Sequence, residues 1–247
     1  MEIFGALLAG SFIGAVLGFI GAGGAMLTVP ILIYLFSFSP HHATTASLAV
    51  VFLAATSGVV AKIKSKEVLY RDALVIWSIG LVTNLGFSSI SDRFNEKFIT
   101  TGFATVLIAA GISSLRPAIK DAHTRIPLRT LIFIALLIGS ITGLFGIGGG
   151  FLAIPALVLF FGTPQNIAAG TSMLIIALNS LTAFFGHYRV WSQVDWHIPA
   201  AIAVTAVIVA NRASKIGSFA SPIIMKRAFA GLLFSVSLFT IAKTWWL

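Results

Sequence analysis

Two stretches of this chain, Ile3 to Ala61 and Thr130 to Tyr188, contain no Asp, Glu, Lys or Arg. Each is 59 residues long. Soluble domains carry about 25% charged residues, whereas this chain has 9% and is 58% hydrophobic. No core of a 247-residue protein absorbs that much apolar surface, so lipid is the solvent for most of it. The runs are continuously apolar rather than alternating, which excludes barrel strands and leaves helices. The expected fold is an all-α polytopic membrane protein.

Ten helical segments are predicted: 3–20, 24–37, 41–62, 72–90, 97–115, 128–145, 149–162, 166–186, 197–212 and 223–244. Met1-Glu2-Ile3 lacks the basic region of a cleavable signal, so the first segment is read as a retained helix. The chain has no cysteine, which removes disulfides, thiolate metal sites, cysteine nucleophiles and thiol-linked lipids.

The two uncharged stretches share a signature. Gly18-Phe-Ile-Gly-Ala-Gly-Gly-Ala-Met-Leu-Thr-Val-Pro30 matches Gly143-Leu-Phe-Gly-Ile-Gly-Gly-Gly-Phe-Leu-Ala-Ile-Pro155. An offset of 125 aligns Gly18–Val51 with Gly143–Ile176 without a gap, with ten identities in 34 positions. Further on, Val68–Arg71 resembles Val194–His197 and Asn84 falls against Asn211. The domain plan is therefore one transmembrane domain, 1–247. It holds repeat one at 1–116, a cytoplasmic linker at 117–127 and repeat two at 128–247.

Charge placement gives a topology. With the loop at 62–72 inside, one face carries twelve bases and three acids, and the other four of each. The whole net charge of +9 then falls on the cytoplasmic face, as the positive-inside rule requires. The basic residues lie in short loops, which argues against a nucleic-acid partner. The corresponding loops 62–72 and 187–197 fall on opposite sides, so the repeats are predicted to be inverted and both termini external. Segment 24–37 spans about 21 Å, short of a roughly 30 Å hydrocarbon core. Segments one and two, and six and seven, are thus either re-entrant hairpins or short crossings.

The glycine breaks are the chemical signal. Broken backbone within lipid is tolerated only where protein or a cavity covers it, and paired breaks in two repeats point to a transport site. After each break a short helix presents unpaired N–H groups and its positive dipole end, which suits an anion. The expected ligands are Gly23, Gly24 and Ala25 from one repeat and Gly148, Gly149 and Gly150 from the other. Gly21, Pro30, Gly146 and Pro155 shape the turns. Ser47 and Ser172 occupy matching positions, and Thr171 and Asn179 add donors near them. Gly14 and Gly18, four apart, read as a close helix crossing. Arg212 either snorkels to the inner surface from a helix end or is a counter-charge for the substrate.

Enzyme chemistry has little to work with. None of the seven acids lies in an uncharged stretch. Ser172 and His187 are roughly 22 Å apart along one predicted helix, too far for a dyad. No metal site and no cofactor are expected.

At Gly143–Pro155, Ala169-Gly-Thr-Ser-Met173 and Asn179-Ser180 the chain resembles the sulfite exporter TauE/SafE family, also called the sulfonate uptake permease family. The first repeat is a looser copy, with Ala25 for the third clustered glycine. Before the last helix the family runs through small residues, where this chain has Ala210-Asn-Arg-Ala-Ser-Lys215. The resemblance implies secondary transport of a small sulfur-containing anion such as sulfite, a sulfonate or sulfoacetate across the bacterial inner membrane. Alternating access would move it, driven by protons or by membrane potential. The alternatives are an anion channel with the same site and, from another class, a membrane enzyme or assembly factor. The sequence leaves oligomeric state open.

Overall fold

The computed structural model describes residues 2–91, 95–115, 127–145 and 150–245. They form ten α-helices: α1 (Glu2–Ile20), α2 (Gly24–Phe36), α3 (Pro40–Lys64), α4 (Tyr70–Ser91), α5 (Glu96–Leu115), α6 (Leu128–Phe145), α7 (Gly150–Phe161), α8 (Gln165–Gly186), α9 (His197–Phe219) and α10 (Pro222–Trp245). A 3-10 turn, Tyr188–Gln193, joins α8 to α9. Among the described residues there is no strand. Six helices are long and apolar enough to cross a membrane: α1, α3, α5, α8, α9 and α10. Most of the expected linker 117–127, residues 117–126, lies outside the described residues.

One boundary differs from expectation. The last-but-one helix runs on past residue 212 to Phe219. Its polar Asn-Arg-Ala-Ser-Lys run reads as an end, yet one face of it packs on α1. Ser214 Oγ donates to the Gly18 carbonyl at 3.1 Å, and Gly217 lies against the Phe19 backbone. Tertiary contact carries the helix through.

Small residues set the closest crossings. Gly10 lies against Ile202, Gly14 against Ala206 and Gly18 against Ala210, so α1 and α9 run parallel with backbones touching. A Cβ on any of the three glycines would strike α9 backbone. The second half repeats the device: Gly139 of α6, the residue 125 after Gly14, lies against Gly80 of α4. The Gly14–Gly18 spacing thus marks a helix crossing, as read from the sequence.

The α1–α2 unit is a hairpin. Gly5 sits beside the Phe36 ring, and Gly24 beside Val51. Val51 is near the middle of the 25-residue α3, so α2 starts about halfway along it. Helix α3 packs along α9 and α8, α4 along α6, and α5 along α10. At one end His187 meets Thr45, and Lys243 lies over Tyr34. At the other Lys62 and Glu67 meet Asn166 and Ser218. Residues given opposite sides by the charge argument therefore sit at opposite ends of the bundle.

Candidate functional site

The turn between α1 and α2 is built by glycine. Gly21 and Gly23 have φ of 84° and 93°, a left-handed conformation that side chains disfavour. Gly23 is the N-cap of α2 and supplies no side chain. The first rung of α2 is the Leu27 N–H bonded to the Gly23 carbonyl at 3.1 Å. The amides of Gly24, Ala25 and Met26 precede that rung and have no partner within the helix.

Those residues line a cavity of about 330 Å³, a volume typical of small-molecule sites. Its far wall is α8, through Ile176, Asn179, Ser180 and Ala183, and its side wall is α4, through Leu81, Asn84 and Leu85. Thr44, Thr142 and Thr182 add hydroxyls. It runs from the glycine turn to exposed Leu85 and Gly186. Measured along α3 from Pro40 to Val51, the glycine turn lies about 16 Å from that end. Among the described residues, neither Asn84 nor Asn179 spends its side-chain amide on another protein group. A smaller pocket behind the cavity shares both asparagines and Thr142. Among the described lining residues the only ionisable side chain is His187.

His187 stands at the mouth. Its Nδ1 is 2.9 Å from Thr45 Oγ1, and its ring stacks on His41 with centroids 5.6 Å apart. Thr45 Oγ1 also lies 2.9 Å from the His41 carbonyl, to which it donates. Burial, and then the neighbouring His41, hold the His187 imidazole below the usual histidine pKa. The ring touches Thr45, not the distant Ser172.

The profile of the family described as sulfite exporter TauE/SafE matches residues 6–240. The chain belongs to this family. A "Probable membrane transporter protein" of Xylella fastidiosa is 28% identical over 251 residues, covering 96% of this chain and 94% of that protein. The "Probable membrane transporter protein YunE" of Bacillus subtilis is 31% identical over 215 residues, covering 76% and 78%. Membership makes this chain a multi-pass membrane transporter, and transport rather than catalysis is the activity those relatives are named for.

Within this TauE/SafE chain the sequence-derived ligands separate into groups. Gly23, Gly24, Ala25 and Asn179 meet at the cavity. Gly150 opens α7, and Pro30 and Pro155 lie inside α2 and α7. Gly146, Gly148 and Gly149 lie outside the described residues. Ser47 is buried and donates to the Thr44 carbonyl at 2.8 Å, one turn from the cavity-lining Thr44. Thr171 donates to the Ile167 carbonyl and accepts the Leu69 N–H at 3.1 Å, at the opposite end of α8 from the mouth. Ser172 is fully buried beside it. Arg212 is exposed on the outside of α9, seven residues before its end, and does not line the cavity. Asn84, Thr142, Thr182 and His187 were absent from the sequence-derived set. Asn84 carried a signal: an amide inside an apolar helix is costly without a task.

Proposed function

We propose that the cavity is the substrate site of a secondary transporter for a small sulfur-containing anion, working by alternating access between two inverted repeats in the bacterial inner membrane. The repeats are 1–116 and 128–247, joined by a cytoplasmic linker, with both termini external. The observation that carries the reading is an asymmetry between equivalent helix pairs. The repeat offset relates α3 to α8 and α9 to α4. Helices α3 and α9 are closed on each other: Ser57 Oγ donates to the Val207 carbonyl at 2.8 Å, and Asn211 Nδ2 donates to the Ser57 carbonyl at 3.0 Å. The counterparts of Ser57 and Asn211 are Thr182 and Asn84, which line the cavity between α8 and α4. One pair is shut and its repeat-mate is open, as one half-cycle of rocking repeats requires.

Inversion has separate support. Contact of Lys62 with Gly170 corresponds, 125 residues on and exchanged, to contact of His187 with Thr45. The two contacts occupy opposite ends of the α3–α8 pair. A packed α3–α9 interface at the far end favours a carrier over an anion channel.

The chemistry favours an anion. Three free amides and the positive end of α2 face the cavity, with the amide donors of Asn84 and Asn179 opposite. The family name points to sulfite; sulfonates and sulfoacetate share its charged oxygens. Gly148–Gly150 would supply the equivalent amides of repeat two, and Ser47, Thr171 and Ser172 lie where a different conformation could bring them to the path. Protons or membrane potential would drive transport.

Ligand-induced thermal stabilisation tests the site. A panel of sulfite, thiosulfate, sulfonates and carboxylates should include a sulfur oxyanion that raises the Tm of purified protein. At a hundred times Kd the stabilisation is about 2.7 kcal/mol. Asn179→Leu and Asn84→Leu should abolish the shift while Arg212→Gln keeps it. Undiminished shifts in both leucine variants would place the site elsewhere.

A further inference from the structure

We infer that Lys62 and Glu67 are the gate at the closed end of the path: an ion pair that ties the α3–α4 loop to α8 and α9, and separates when that end opens. This rests on the alternating-access reading above.

The pair is unusual for a chain so poor in charge. Lys62 has no exposed surface, and its Nζ lies 2.7 Å from Glu67 Oε2. Lys62 Nζ also donates to Ser218 Oγ at 3.2 Å, and Ser218 donates on to Glu67 Oε2 at 2.8 Å. Asn166 Nδ2 donates to Glu67 Oε1 at 2.7 Å. Both carboxylate oxygens are thus held, one from α9 and one from α8. Gly170 makes room for this, since a Cβ there would meet the Glu67 carbonyl. Burial by itself raises the Glu67 carboxyl, but the hydrogen bonds from Lys62, Asn166 and Ser218 outweigh it and hold the pKa below the usual range.

Buried ion pairs are poor stabilisers, because apolar residues of equal volume commonly serve as well or better. They do have one property that apolar packing lacks. When the contact parts, both charges are rehydrated, so the separated side chains themselves add no apolar surface to water. A contact that must break and re-form in every cycle benefits from that balance. Its place also fits. The cluster adds α8 to the α3–α9 pair that is shut around Ser57 and Asn211, at the end of α3 opposite the cavity mouth. The residue equivalent to Lys62 is His187, at the mouth, where no such ion pair forms among the described residues.

The absence of cysteine from the chain makes the test direct. Thr182→Cys reports the open side and Ser57→Cys its shut equivalent. With the ion pair intact, Thr182→Cys should react with a membrane-impermeant maleimide from the His187 face, and Ser57→Cys should resist it from either face. Adding Glu67→Gln should speed Ser57→Cys labelling from the Glu67 face about tenfold or more, a modest shift in a two-state balance. The charge exchange Lys62→Glu with Glu67→Lys should restore protection, which a merely disordered variant would not do. If Glu67→Gln does not yield monodisperse protein, Asn166→Ala with Ser218→Ala keeps the charges and removes their anchors, and should give intermediate acceleration. Reactive Thr182→Cys with Ser57→Cys unaffected by these changes overturns the gate. A Thr182→Cys that is inert from both faces overturns the cavity reading instead.

Discussion

At the scale of single residues, conformation and protonation make separate demands. Gly23 sits in the left-handed region, and its missing Cβ would lie 2.8 Å from Leu232 Cδ2. Gly23→Ala should therefore cost about 1–2 kcal/mol from backbone conformation alone, read as a lowered Tm. Gly186, which has open space around it, should accept alanine with little change. His187 makes a different prediction. Its pKa in the fold lies below the unfolded value of about 6.5. Over that interval the unfolded chain binds the proton more readily, so stability is full above about pH 6.5 and is lost as pH falls through the lower folded value. His187→Asn should flatten the fall in Tm between pH 7 and pH 5. A variant with an unchanged slope would assign that dependence to another group. Among the described residues, the groups near His187 are His41, Tyr188 and Arg189, with Asp195 already paired to His197 at 2.7 Å.

At the scale of elements, the helices meet where side chains are small. Gly14 touches Ala206 backbone, so Gly14→Val must push α1 from α9, at a typical overpacking cost of about 1–3 kcal/mol. The same change at Gly231 of α10, with nothing near its missing Cβ, should be close to neutral. Comparing the two by thermal unfolding in detergent separates crossing from propensity, since both replace glycine by valine within a helix. The sequence already marked most helices, because a lipid-exposed helix must be apolar along its length and the boundary with charged loops is sharp. It missed the end of α9, where the Asn-Arg-Ala-Ser-Lys run mixes two faces. Ser214 and Gly217 point at α1, while Arg212 and Lys215 point outward. Composition alone averages those faces.

At the scale of the whole molecule, the proposed alternating access makes kinetic predictions. Transport should saturate with substrate and support counterflow of labelled sulfite or sulfonate in proteoliposomes. Unsaturable flux with unitary currents would replace the carrier by a channel. The candidate site was partly legible beforehand. Of the residues expected to bind substrate, Gly23, Gly24, Ala25 and Asn179 line the cavity, and they stood out because glycine breaks and lone amides are conspicuous in apolar helices. Asn84 shares the cavity with the glycine turn across about 60 residues and with Asn179 across 95, and His187 shares it with that turn across more than 160, separations that no local pattern records. Ser47 and Ser172 matched by position in the repeat, but a hydroxyl can always bond back to its own helix, as Ser47 does.

What the sequence determined on its own was the solvent, the helices, the duplication and the two charged ends. Each follows from composition along a line, since lipid and water select residues segment by segment. Only the tertiary structure decided that α3 packs on α9 while a cavity lies between α8 and α4, and that the Lys62–Glu67 pair meets Asn166 and Ser218. Two repeats of similar sequence encode two nearly equivalent interfaces. Packing, not composition, chooses which of them closes around an ion pair and which leaves a cavity.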